Sequence, residues 1–158
     1  MRGFTYITVL ILLFMLGLAQ VKIAKVWQAE VRRAKETELL EIGDEFRRAI
    51  RSYYELSPGT VKRYPRSLND LLEDQRFLGV TRHLRRIYLD PMTTKTEWGT
   101  IGAPDGGIMG VYSLSTDVPY KQANFKLINQ NFTQAKSYRS WQFAYVPQPG
   151  VGNGLGKG

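Results

Sequence analysis

Few side chains in this sequence are equipped for acid–base or nucleophilic chemistry. There is one histidine, His83, and no cysteine. The lack of cysteine removes disulfides, thiolate metal sites and cysteine nucleophiles together and leaves the redox compartment open. With a single histidine, a histidine-based triad and a multi-histidine metal site are both set aside. His83, in Thr81-Arg82-His83-Leu84-Arg85-Arg86, is expected on a surface loop or helix. Gly106-Gly107-Ile108-Met109-Gly110 lacks the lysine and helix that follow a phosphate loop, and reads as turn chemistry. No carboxylate pair, nucleophile beside a base or cofactor fingerprint stands out. Neither an enzyme nor a bound cofactor is expected.

Charge is the next chemical resource. Lys+Arg 22 against Asp+Glu 14 gives a net charge of +8 in 158 residues. Such a surplus suits nucleic acid, anionic lipid or plain solubility, so its distribution matters. It concentrates in residues 57–97, which hold eight cations and five anions, notably Arg82, Arg85 and Arg86 with Lys62, Arg63 and Arg66 upstream. No aromatic interleaving accompanies these arginines, so a solvated or subunit-facing surface is preferred to a phosphate-binding one. Nucleic acid is not expected as a partner.

The elements that must carry these groups begin with MRGFTYITVLILLFMLGLAQ. Nineteen uncharged residues lie between Arg2 and Lys22. As a helix they would span roughly 28 Å, close to the hydrocarbon thickness of a bilayer. Their apolar side chains favour insertion by a sum on the order of 5 kcal/mol. From Lys22 onward, apolar residues recur at Ile23, Trp27, Val31, Ala34, Leu39, Ile42, Phe46, Ala49 and Tyr53, with no proline or turn cluster. This spacing predicts one amphipathic helix that continues the apolar span, near 80 Å in all. A domain must cover residues 39–54, because an isolated stripe is only marginally helical. The opposite face carries eight basic residues and seven acidic ones, Glu36 and Arg47 among them, and reads as a solvated, self-paired surface. Gly43 is expected as a soft point where the helix could bend.

Two other readings of the opening segment stay open. A secretory signal cut after Gly17-Leu18-Ala19 would release a periplasmic binding module. The cations Lys22, Lys25, Arg32, Arg33 and Lys35, against Arg2 and the amino terminus, would instead favour a cytoplasmic C-terminal part.

Gly3-Phe4-Thr5-Tyr6-Ile7, followed by an apolar span and a long amphipathic helix, resembles the start of type IV pilins and type II secretion pseudopilins. The resemblance implies that a membrane-embedded prepilin peptidase cuts after Gly3, that Phe4 becomes an N-methylated first residue, and that the C-terminal domain lies in the periplasm. It also implies assembly through Phe4, Thr8 and Gly17 with other pilins or pseudopilins, from an inner-membrane assembly platform and membrane lipid. The family usually has glutamate where this chain has Thr8. Subunits lacking that acid are minor, tip-located components, and a threonine hydroxyl needs no partner because it can bond back to the carbonyl of Phe4.

The rest of the chain fits an α+β, pilin-like fold: a long N-terminal α-helix, transmembrane and then amphipathic, packed on a small antiparallel β-sheet. The helix should stop at Leu56-Ser57-Pro58-Gly59. Ser67, with Asp70 three residues on, should start a short helix that turns Leu68, Leu71 and Leu72 inward. Residues 97–101 and 108–114 read as a hairpin across Ala103-Pro104-Asp105-Gly106-Gly107, and 138–146 as a last strand, giving three or four antiparallel strands. Tyr64-Pro65 and Asp90-Pro91 resemble the landmarks of pseudopilin loops that join helix to sheet. Val111-Tyr112-Ser113-Leu114-Ser115-Thr116-Asp117, Lys121-Gln122-Ala123-Asn124-Phe125 and Trp141, Phe143 and Tyr145 resemble a proteobacterial pseudopilin-like subgroup.

Within that resemblance, calcium is the one ion to consider, at Asp105 and Asp117. The ligand spacing is not reproduced, and turn residues are preferred. Asn131-Phe132-Thr133 matches a glycosylation acceptor but is incidental in a bacterial chain. Uptake pilins bind DNA through basic patches, which makes a DNA-uptake subunit the alternative role for Arg82, Arg85 and Arg86. The expected organisation is a leader at 1–3, a transmembrane half-helix at 4–21, an amphipathic half at 22–56, a periplasmic domain at 57–146 and a flexible Gly/Pro-rich tail at 147–158. The expected role is a structural subunit, minor in rank, of a type II secretion pseudopilus or pilus-like filament that supports protein secretion.

Overall fold

The computed structural model describes residues 2–147, excepting the side chains of residues 2, 3 and 16–26. Met1 and residues 148–158 of the tail expected at 147–158 lie outside it. One helix, α1 (Arg2–Glu55), runs through the described chain without interruption. Its 54 residues correspond to about 80 Å. Among the described residues no helix is long and apolar enough to cross a membrane. The span expected at 4–21 continues through residues 16–21, whose side chains are outside the description.

Burial along α1 starts at Glu36 and recurs at Leu39, Ile42, Phe46, Ala49, Ile50 and Tyr53, the helical spacing of a single stripe. Trp27 and Val31, on the expected continuation of that stripe, remain exposed. The covering layer is a three-stranded antiparallel sheet in the order β1-β2-β3, together with long loops. Strand β1 (Gly99–Gly102) pairs with β2 (Ile108–Tyr112) around the expected turn, with a register shift between Ile101 and Gly102. Strand β3 (Phe143–Ala144) pairs with β2 through Phe143 opposite Val111 and Ala144 opposite Gly110. The chain is therefore an α+β arrangement of helices and a small antiparallel sheet.

The last strand is much shorter than the 138–146 expected. Tyr138–Ser140 forms a 3-10 turn instead. The cause is an aromatic core that overrides strand propensity. Trp141 is fully buried and stacks on Phe132 at 5.6 Å with an 8° interplanar angle, while Tyr138 and Phe125 meet its edge. A straight strand alternates sides and cannot turn Tyr138, Trp141 and Phe143 all inward. The 3-10 turn at Leu127–Phe132 supplies Phe132 to the same cluster. The expected short helix is a 3-10 turn at Leu68–Leu71, where the Asp70 carboxylate accepts from the backbone N–H of Arg66 (2.9 Å) and Ser67 (3.1 Å).

Gly43 is a packing site rather than a bend. A Cβ there would lie 2.3 Å from the Phe143 ring, so the absence of a side chain lets β3 lie directly on α1. Phe143 is fully buried, and Phe132 meets it edge-on at 5.1 Å, so the ring has no free direction in which to retreat. Ordinarily Gly→Ala inside a helix stabilises by up to about 1 kcal/mol. Here Gly43→Ala should reverse that sign and cost about 1–2 kcal/mol, because overpacking exceeds the propensity gain. Gly102→Ala, which meets no atom within 4 Å, should change stability by less than about 0.5 kcal/mol. Urea denaturation of both variants checks the pair.

Candidate functional site

Two surfaces of α1 are chemically distinctive, and the first is its N-terminal band. Phe4, Ile7, Val9 and every residue from Leu10 to Met15 are large, apolar and between 49% and 78% exposed. Consecutive residues cover the whole circumference of a helix, so this band is apolar on all sides. Thr8 sits within it, and its hydroxyl donates to the Phe4 carbonyl at 2.8 Å, as its position predicts. That bond satisfies the hydroxyl inside its own helix. Gly3 at the expected processing point, Gly17 and Ala19 all lie on α1, but the surroundings of residues 3 and 16–26 fall outside the description.

The second surface is the other end of α1, where the last carbonyls of a helix lack intrahelical donors. Two side chains from the following loops supply them. Arg76 Nη2 donates to the Tyr53 carbonyl (2.9 Å) and Nη1 to Ser57 Oγ (2.8 Å), while Lys62 Nζ donates to the Glu55 carbonyl (2.7 Å). The Arg76 guanidinium also lies over the Tyr53 ring, 3.5 Å from its centroid. Arg76 is held in turn by Asp74, through Nε at 2.8 Å and Nη2 at 2.6 Å.

His83 completes this clamp, and it corrects the expectation of a surface residue. Its side chain is 1% exposed. Nε2 lies 3.1 Å from Asp74 Oδ2, and Nδ1 lies 2.8 Å from Ser52 Oγ. The result is a serine–histidine–aspartate chain, which the histidine count alone does not exclude because such a chain needs only one. In the neutral ring, Nε2 donates to the carboxylate and Nδ1 accepts from the hydroxyl. The arrangement is nonetheless sealed. Asp74 is buried, both its oxygens serve Arg76, and Ser52 lies within the last turns of α1, where backbone N–H groups are committed to helix bonds rather than to an oxyanion. Chemically the group can lock residues 74–83 onto α1. Backbone bonds support the same lock, from Asp74 N–H to the Thr81 carbonyl and from His83 N–H to the Leu71 carbonyl, both 2.9 Å.

Burial pushes the Asp74 carboxyl up, but the hydrogen bonds from Arg76 and His83 outweigh it and hold the group at about 2. A second buried acid, Glu36, pins the sheet side. Its carboxylate accepts from the backbone N–H of Tyr120 and Lys121 and from the Tyr138 hydroxyl at 2.7 Å. Burial, followed by the bond to Glu36 and its charge, pushes the Tyr138 hydroxyl up. Arg47, half a stripe away, donates to Asp44 and Asn129 at 2.8 Å each, and burial lowers its pKa against the opposing pull of Asp44. Glu36 and Arg47 therefore leave the solvated face assigned to them. Glu36 lies three residues before Leu39 and Arg47 three before Ile50, the spacing of the buried stripe, which is the signal that sequence reading passed over.

Arg82, Arg85 and Arg86 are all exposed. Arg82 and Arg85 line an open groove with Glu45 and Tyr88, and Arg86 stacks over the Tyr88 ring at 5.2 Å. Lys62, Arg63 and Arg66 line a different groove beside the Asp105–Gly107 turn. Asp105 and Asp117 precede and follow β2 respectively and bond different neighbours, Asp117 accepting from Tyr138 N–H through its carbonyl. Asp105 instead accepts from the backbone N–H of Tyr64 and Gly107 at 3.0 Å each. Asp90 is likewise internal, taking bonds from Met92 N–H, Thr93 and Ser113. Among the described residues no group of three or more His, Asp or Glu side chains could hold a metal ion. Comparison with family models, with curated proteins and with solved structures found no match.

The Asp74 shift fixes a sign. A carboxyl near 2 in the folded chain against 3.8 when unperturbed stabilises the fold above about pH 4 and loses that contribution as pH falls toward 2. The contribution is on the order of 2 kcal/mol. Asp74→Asn should lower stability at pH 7 and flatten the acid limb between pH 4 and 2, measured by urea denaturation across that range. Glu36→Ala should cost at least about 2 kcal/mol, because it strands two backbone donors and a hydroxyl.

Proposed function

We propose that this chain is a pilin-like structural subunit, minor in rank, of a type II secretion pseudopilus or related filament. It is anchored in the bacterial inner membrane by the N-terminal part of α1, with the α+β domain in the periplasm. The observation that carries this reading is the band of residues 4–15, apolar on every side and uncovered, on a helix that continues unbroken into the packed stripe. An exposed apolar cylinder requires lipid or other apolar helices around it. Both environments belong to the life of such a subunit, which leaves the bilayer by exchanging lipid contacts for helix packing. Within the filament the partners are other pilins or pseudopilins, delivered through an inner-membrane assembly platform.

Thr8 supports a minor position. Bonded to the Phe4 carbonyl, it presents no charge to a neighbouring amine, so docking here rests on packing rather than on an ion pair. The role is mechanical: the polar clusters around Asp74 and Glu36 hold loops to a rod, and no catalytic step is assigned to them. Processing would occur between Gly3 and Phe4, by a prepilin peptidase. Intact-mass analysis of the membrane-extracted mature protein should give a chain that starts at methylated Phe4. A chain starting at Gln20 would contradict the proposal and favour a binding module released by signal cleavage.

A further inference from the structure

The clamp around Asp74 holds out a loop whose tip is the opposite of what water favours. Residues 74–81 are closed at the base by the Asp74–Thr81 backbone bond and by the Asp74, Arg76 and His83 side chains. At the tip, Leu78 is 113% exposed, Val80 75% and Phe77 36%. A Cβ at Gly79 would meet nothing within 4 Å, so the tip stands clear of the domain. A rigid base under a projecting apolar tip is an arrangement for insertion, since a floppy loop would fold those side chains back.

What the tip inserts into follows from the charges behind it. Arg82, Arg85 and Arg86 come directly after the loop, are exposed, and have no ion-pair partner among the described residues. Along the chain the apolar tip is followed at once by this exposed cationic run, which begins just past the bond that closes the loop. A bilayer with anionic headgroups offers a match to both, phosphate first and hydrocarbon beneath. A folded acidic protein would need a groove to receive a convex tip, and nucleic acid offers no hydrocarbon to Leu78.

We propose that loop 74–81 docks on an anionic lipid surface, with Phe77, Leu78 and Val80 entering the acyl boundary and Arg82, Arg85 and Arg86 at the phosphates. Arg76 ties this loop to the last turn of α1, so the tip lies on the order of 70 Å along the helix from Phe4. The lipid it meets is therefore a second surface, and the subunit bridges two. That this surface is a second one rests on the membrane anchoring proposed above; the docking itself does not.

The test places the full chain in nanodiscs of phosphatidylcholine and adds vesicles either of phosphatidylcholine alone or with phosphatidylglycerol, scoring recruitment by flotation. Recruitment to the anionic vesicles only, falling with salt, is expected. Leu78→Asp and the triple variant Arg82→Glu/Arg85→Glu/Arg86→Glu should each weaken it at least about tenfold. Leu78 is fully exposed, so Leu78→Asp should keep the parent unfolding transition. Equal recruitment by both vesicle types, no recruitment, or recruitment indifferent to Leu78→Asp would overturn the proposal. Binding of duplex DNA that is lost in the triple variant but kept in Leu78→Asp, without vesicle recruitment, would assign the patch to nucleic acid instead. Should the chain fail to enter nanodiscs, the anchoring reading fails separately, and the free chain is scored on the same vesicles.

Discussion

A helix of this length carries more apolar surface than its own domain can cover, and that imbalance governs the molecule. The sheet and loops shelter the stripe from Glu36 to Tyr53 and stop there. Toward the other terminus, Phe4 to Met15 stay bare on all sides. Neither half would be a stable helix alone in water, because tertiary contacts supply most helical stability. The covered half makes the rod rigid, and the bare half makes it depend on an apolar environment outside itself.

Cover over the lower half depends on three fixings placed along it. Near its start, the Glu36 carboxylate gathers the 120–121 backbone and Tyr138. In the middle, Gly43 removes a side chain so that Phe143 brings β3 against the helix. At the end, Arg76 and Lys62 answer the unpaired carbonyls, and Asp74 and His83 hold Arg76 in place. Two of the three are polar and buried, and such fixings stabilise only when every partner is present. They also specify a single register, because a carboxylate with three fixed donors tolerates little sliding.

The parts written in local patterns were readable from the residues. The continuous helix, its stop near Ser57-Pro58-Gly59, the hairpin turn and the Thr8 bond all follow from spacing, turn chemistry or a neighbour four residues away. Long-range compensation was not readable. Glu36 reads as a surface acid until Tyr120 and Tyr138, more than eighty residues distant, meet it. His83 reads as a loop residue until Ser52 and Asp74 close on both ring nitrogens. Gly43 reads as a weakness until Phe143 occupies the space. The shortened β3 has the same origin, since aromatic packing around Trp141 decides the local backbone.

The anchoring proposed above requires that residues 4–15 stay on the working molecule, in contact with lipid or with other helices. Alkaline carbonate extraction of membranes from cells making the full chain tests it most directly, because it strips proteins held by charge and leaves those held by apolar insertion. A chain held by residues 4–15 stays in the membrane pellet and dissolves only with detergent. Quantitative release into the carbonate supernatant would contradict it.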